Sequence, residues 1–378
     1  MERVAVIGVG QTKYEQGKRD TFHELVFDVA GKALADAGMT IKEVDNIVSV
    51  SSDFWDGRTI SSMAIQDAAG AFGKDITTVE GDGTFGVLYG MMRILSGSFG
   101  VCLVVAHHKG TESNMNGITN TCFDPLLERR LGIDALSSAA LQARRYMSVS
   151  GALPQQFALV SVKNHGNAKN NPFAMLPMDL TVEDVMNSRM LADPLKKLDC
   201  SPVTDGAAAV ILAAEREAKK LVTNKKRVWL LGVGHCTDAY RLGDRDLADT
   251  RALKKAAKKA YSMAGIDPWD VDVAEVYDAF SYMEPMWLEG LGFCDDGKGT
   301  EYIERGTFNM NGKLPVNPSG GRLSANPVQV AGLAEVAECV LQLRGTAGKR
   351  QVKGAETALA HGINGMCGQS HCVWVLGK

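Results

Sequence analysis

The sequence predicts an α/β protein built from two similar βα halves, and three observations carry that expectation. The chain repeats its own pattern in order, and strand-like segments alternate with helix-like ones. Its 378 residues, 45% of them hydrophobic, can fill two related cores in one body. The repeat opens at residues 2–15 and returns at 226–239: each copy runs from a basic residue into an apolar strand, then Gly-Val-Gly, then a polar loop. It continues at 33–51 and 260–281, where a helix of apolar spacing ends at Ala-Gly, a polar turn follows, and a Val- or Ile-rich strand comes next. In a third, looser correspondence, residues 78–97 set a glycine-rich turn (Gly81, Gly83, Gly86) before a helix, and 317–342 do so with Gly320, Gly321 and Gly332. Each half then closes on an apolar strand, 101–106 in the first and 371–376 in the second.

Alternating strands and helices predict mixed, mostly parallel sheets covered on both faces. The expected division is a first half of residues 1–110 and 201–220, an insertion over 111–200, and a second half over 226–378. The insertion is rich in loop residues such as Asn114, Asn116, Gly117, Asn120, Asn170, Asn171 and Pro172. Loops of that length in a compact body are usually functional, here as walls of a substrate pocket.

Composition excludes several classes. Net charge is −3 with 22% charged residues, so no nucleic-acid surface is expected. No run approaches the ~18 apolar residues of a membrane helix, and the opening residues read as a strand rather than a signal peptide. Eight cysteines without a CxxC pair fit reduced thiols in a cytoplasmic protein, with neither a disulfide framework nor a metal site. Gly8-Val9-Gly10 and Gly232-Val233-Gly234 follow strands as a dinucleotide turn would. Lys13 and Thr237 stand where its third glycine belongs, and a lone GxG is weak support for nucleotide binding.

Four segments carry a specific resemblance. Residues 199–209 (DCSPVTDGAAA), 275–280 (EVYDAF), 317–327 (NPSGGRLSANP) and 361–368 (HGINGMCG) resemble, in order, four motif stretches of the sterol-carrier-type thiolases. These are the stretch ending the first half, the Asn/His-x-Ala-Phe loop, the Gly-Gly…Gly-His-Pro loop and the last glycine-rich loop. With the duplication, the resemblance covers nearly the whole chain. It implies the layered αβαβα thiolase fold and an acyltransferase that handles acyl-CoA, with CoA as substrate and no further cofactor.

Thiolases attack a 3-ketoacyl-CoA with a cysteine thiolate at a helix N-terminus, and hydrogen-bond donors hold the developing oxyanions. Here the resemblance puts Gly83 at the cysteine's place. Asn326 replaces the histidine of the Gly-His-Pro loop; it can donate to an enolate oxygen but cannot act as a base. Tyr277 stands where Asn or His is usual, as donor or proton carrier. Cys367 lies near the place of the acid/base cysteine and is the leading substitute thiol, with Cys122 in the insertion as the outside candidate. The expected catalytic set is Cys367, Asn326, Tyr277, His361 and Asp278, and the substrate-binding set is Gly83, Asp82, Gly320, Gly321 and Gly365. Each has a structural alternative: Asp82, Asp278 and Asn326 suit helix caps, Tyr277 a packed ring, and His361 or His371 a core histidine. His107 and His108, adjacent on a strand, face opposite ways and read as structural.

Three functions compete on this sequence. The leading one is thiolase-type cleavage or condensation of a 3-ketoacyl-CoA, bulky or aromatic as in the benzoylsuccinyl-CoA thiolases. A retro-aldolase acting on a 3-hydroxyacyl-CoA needs no nucleophile, and thiolase-like aldolases lacking the cysteine exist. A non-catalytic acyl-CoA-binding subunit is the third. The resemblance further implies a homodimeric core and a small zinc-ribbon/OB-fold partner subunit.

Overall fold

The computed structural model describes residues 2–378. Nine strands form the main sheet: β1 (Val4–Gln11), β2 (Asn46–Val50), β3 (Asp75–Val79), β4 (Val101–Lys109), β5 (Asp205–Ala214), β6 (Val228–Thr237), β7 (Val273–Val276), β8 (Thr357–Asn364) and β9 (Ser370–Gly377). Their spatial order is β3-β2-β4-β5-β1-β6-β9-β8-β7. The order reads the same from either end once halves are exchanged: β1 answers β6, β2 answers β7, β4 answers β8 and β5 answers β9. Val316 beside Ala274 takes the place of β3 in the second half. Among the described residues β1 and β6 pair at Ala5–Trp229 and Val6–Val228 alone, a narrow seam that leaves each half with its own sheet.

Six helices complete the layers that matter here: α1 (Phe22–Ala37), α2 (Gly83–Leu95), α3 (Ala135–Ser150), α4 (Pro154–Ala168), α5 (Arg251–Ala264) and α6 (Ala331–Arg344). α1 covers the outer face of the first sheet and α5 that of the second, while α2 and α6 fill the middle layer between the sheets. Strand alternation sorts the side chains between layers. Cys102, Val104 and Ala106 of β4 join the middle core with Val336 and Trp374, whereas Leu103 and Val105 face α1. The αβαβα arrangement and its two related halves are therefore present.

The glycine pairs that resemble a nucleotide turn have a packing cause. A Cβ on Gly8 or Gly10 would lie 2.3 Å from the Ala33 carbonyl and 2.5 Å from that of Val29; on Gly232 or Gly234 it would lie 2.1 and 1.8 Å from those of Ala260 and Ala256. In both halves the glycines let the outer helix lie flat on its strand.

Two expectations need correction. Parallel pairing is confined to β2–β3, β2–β4 and β7–β8, and the other five pairs are antiparallel, so the sheets are mixed but not mostly parallel. The cause is connectivity: the insertion returns the chain to the far end of β4, and a short hairpin turns β8 straight back into β9. The closing strands are also not counterparts, because β4 corresponds to β8, and β9 corresponds to β5.

Candidate active site

The C-terminal ends of parallel strands are where open α/β sheets leave crevices. Here β3 leads into residues 80–82, β7 into Tyr277, and β8 into the loop before β9. These ends, the tip of α2, His235 and Thr237 of β6, and Val328–Gln329 ahead of α6 enclose a cleft of about 580 Å³. Trp55 and Cys122 reach it from outside the sheets.

Asp82 organises the floor. It is the N-cap of α2, accepting from Thr84 N at 2.9 Å, and its other oxygen accepts from Gly332 N in the first turn of α6 at 2.7 Å. One carboxylate thus caps both central helices, one from each half. The approach is so close that a Cβ on Gly332 or Gly362 would sit 2.0 or 2.1 Å from its Oδ1. Burial pushes the Asp82 pKa up, against those hydrogen bonds.

Beside Asp82, Gly83 is closed to any side chain. A Cβ there would lie 2.2 Å from Leu333 N and 2.5 Å from Leu333 Cβ, both in α6. Tyr277 borders the cleft, and burial plus the Asp82 carboxylate raise its phenol pKa, with the Asn326 amide opposing. Asn326 Nδ2 itself donates to Ser201 Oγ at 3.0 Å. His235 bridges to Ser370 Oγ at 2.9 Å and Thr237 Oγ1 at 3.1 Å, and burial keeps its ring toward the neutral form. The Cys122 thiol is raised by partial burial and by Glu80, with Arg129 opposing.

A family profile described as "Thiolase C-terminal domain-like" matches residues 234–378. Over 376 residues the chain is 38% identical to an acetyl-CoA acetyltransferase of Methanothermobacter thermautotrophicus, covering 97% of this chain and 98% of that one. It is 33% identical to sterol carrier protein 2 of Gallus gallus over 96% of this chain and 69% of the other. It is 29% identical to the benzoylsuccinyl-CoA thiolase subunit BbsB of Thauera aromatica over 97% of this chain and 95% of that one. The chain belongs to the thiolase superfamily. It is a sterol-carrier-type member, a thiolase-like acyltransferase in class. A solved structure described as "Ltp2-ChsH2(DUF35) aldolase" superposes with a TM-score of 0.85, covering 100% of this chain and 98% of that one; at 24% identity this is a likeness of fold.

Within this thiolase-superfamily chain, the expected site residues divide. Asp82, Tyr277 and Gly365 line the cleft, Gly83 adjoins Asp82, and Asn326 stands beside Tyr277. The others lie elsewhere. Cys367 has φ +55° and lines a separate small void with Gln142, Arg245, Trp287 and His371, where burial pushes its thiol up to about 11. Its left-handed backbone turns it away from the cleft its neighbours border. His361 is fully buried and pairs Nε2 with His371 Nδ1 at 3.0 Å; burial holds both rings neutral. Asp278 accepts from Arg322 N and, at 2.6 Å, from Asn164 Nδ2, so it fastens the 319–322 loop to α4 and does not line the cleft. Gly320 and Gly321 are the contact surface of that fastening: a Cβ on Gly320 would lie 2.6 Å from Ala168 Cβ, and one on Gly321 2.4 Å from Asp278 Oδ1.

Sequence reasoning missed His235, Trp55, Glu80 and Gln329, all on the cleft wall. Gln329 alone left a signal, as the one polar residue in the run Pro327-Val328-Gln329-Val330-Ala331.

Proposed function

We propose that this chain carries out thiolase-type cleavage, or the reverse condensation, of a 3-ketoacyl-CoA with CoA, and that Cys122 takes the acyl group. One observation carries the assignment: among the described residues Cys122 is the one cysteine that lines the cleft shared by Asp82 and Tyr277, while the usual nucleophile's place is filled by Leu333. His235, neutral and on the same wall, is the base on hand for the thiol. The thiolate adds to the 3-keto carbon, the Cα–Cβ bond breaks, and its electron pair passes to the thioester as an enolate. Tyr277, held protonated by burial, gives a proton to the α-carbon of that enolate and takes one back from the incoming CoA thiol. CoA thiolate then displaces Cys122 from the acyl group, so one 3-ketoacyl-CoA and one CoA give two acyl-CoA products. CoA is a substrate and the scheme calls for no cofactor.

A bulky or aromatic acyl group in a degradation pathway is favoured by Trp55 and Phe85 on the cleft wall and by the likeness to the benzoylsuccinyl-CoA thiolase subunit. That relative's description as a subunit, and the DUF35 component in the fold neighbour's, support a small zinc-ribbon/OB-fold partner here. A homodimeric core is supported by β3, a sheet edge with partly exposed residues open to pairing through the first halves. Eight free cysteines fit a cytoplasmic setting, and no helix among the described residues is long and apolar enough to cross a membrane.

A second reading is a retro-aldolase on a 3-hydroxyacyl-CoA, with the protonated Tyr277 phenol giving the enolate carbon its proton as it takes one from the 3-hydroxyl. It is favoured by the closed position at Gly83 and by the fold neighbour described as an aldolase. Intact-mass analysis after incubation with 3-ketoacyl-CoA compounds separates the two. An acyl adduct on Cys122, and loss of at least ~10³-fold in turnover in Cys122→Ala, support the thiolase reading. Normal turnover in Cys122→Ala together with loss in Tyr277→Phe replaces it by the aldolase.

A further inference from the structure

We propose that the side-chain amide of Gln329 is the hydrogen-bond donor to the acyl-CoA carbonyl oxygen, and that His108 is the positioning residue that aims it; this rests on the cleft being the acyl-CoA site. Gln329 lines the cleft yet is only 2% exposed, and its Nε2 has no protein partner. An unpaired buried amide N–H is costly, so it persists where a ligand or water takes the bond. The other end of the amide is engaged. Oε1 lies 3.5 Å from His108 Nδ1, on a fully buried ring whose edge meets Trp55, itself a cleft residue, at 5.5 Å between centroids.

The tautomer follows from the surroundings. Burial lowers the His108 pKa to about 4, so at neutral pH the ring carries one proton. Its Nε2 is pressed against Gly110, where a Cβ would come within 2.3 Å, and has no partner. A bare nitrogen lone pair is tolerated there better than an orphaned N–H, which places the proton on Nδ1. Nδ1–H then donates to Gln329 Oε1, and both amide hydrogens are left for the cleft. Asn326 cannot match this, since its Nδ2 is shared with Ser201 Oγ. The thioester oxygen becomes an enolate oxygen when the carbon–carbon bond breaks in either chemistry proposed above. A preset donor at that oxygen is worth roughly 10²–10³-fold in rate.

The test uses acetyl-CoA labelled with carbon-13 at its carbonyl, and the infrared stretch of that carbonyl when bound. Bound to the wild-type chain and to Tyr277→Phe, the stretch should fall below its value in free acetyl-CoA. In Gln329→Ala and Gln329→Glu that fall should be lost, and turnover of acetoacetyl-CoA with CoA should drop roughly 10²–10³-fold. His108→Leu should give a partial loss, His108→Asn should restore it, and His108→Leu should add nothing in a Gln329→Ala background. A wild-type stretch in Gln329→Ala overturns the donor and leaves the cleft reading standing. Acetyl-CoA should also protect Cys122 from iodoacetamide. If it does not, whether it binds elsewhere or not at all, the cleft reading fails, and this proposal with it.

Discussion

The N-terminal ends of α2 and α6 are counterparts in the repeat, and both end at the cleft, but they have been furnished in opposite ways. At α2 the tip is Gly83, whose side-chain space is taken by Leu333. Just ahead of α6 stands Gln329, with a side chain whose amide nitrogen has no protein partner. Asp82 belongs to the first end yet caps both. Two helix ends related by duplication offer the same electrostatic scaffold, and which one can present a polar side chain to the cleft is decided by which one has room for it.

The comparison breaks most severely if room can be restored at α2. Gly83→Cys would put back the thiol that the family resemblance implies, but its Cβ would strike a backbone nitrogen of α6. The expected cost is on the order of 4 kcal/mol, above the usual overpacking range of about 1–3, because backbone cannot swing aside. Denaturant unfolding should show that loss, with no gain in turnover. A stable variant with raised activity would mean that the two helices separate readily and that the space at Gly83 is not closed.

Asp82 gives the next effect in size. Asp82→Ala removes a cap from α2 and leaves Gly332 N without its acceptor, for an expected loss of about 2–3 kcal/mol in unfolding free energy. Asp82→Asn keeps one oxygen and should lose about half as much. Equal losses in both variants would show that the charge, rather than the two-sided capping, holds the helix ends together.

Layers were legible in the sequence because they follow periodicity: Gly-Val-Gly before each outer helix and Ala-Gly after it recur in both halves. Strand direction was not, since nothing local in residues 205–214 says which way the chain returns after a long insertion. At the site, motif position located the loops but not the side chains' aim. Tyr277 and Asp82 reach the cleft, while Cys367, one turn of loop away, is rotated out by a positive φ that its residue type does not announce. Asp278 and Gly320–Gly321 belong to a packing contact with α4 that exists only once the insertion has folded. Gln329 escaped notice because its partner, His108, lies 221 positions earlier in the chain.

The smallest effect concerns two buried histidines of the second half: His361 on β8, the counterpart of the strand that carries His107 and His108, and His371 on β9. His371 is buried against His361, with Trp287 edge-on at 5.0 Å and Arg245 and His235 as nearby cations or potential cations. Burial lowers its pKa to about 3, below the ~6.5 of an unfolded histidine. The unfolded chain therefore binds more protons between those values, so this group's contribution is full above about pH 6.5 and falls away as pH drops toward 3. The buried carboxyls work in the other direction: Asp82, Asp278 and Glu335 have raised values, and their contribution grows as pH falls. A raw stability profile mixes both signs, but a difference between variants does not. The destabilisation caused by His371→Asn should be larger at pH 7 than at pH 5 by roughly 2 kcal/mol, at about 1.4 kcal/mol per pH unit below 6.5. Urea unfolding of both proteins at the two pH values measures it. A destabilisation independent of pH would show that the pair takes up protons in the folded state, so that His371 and His361 are reached by solvent and belong to the working site after all.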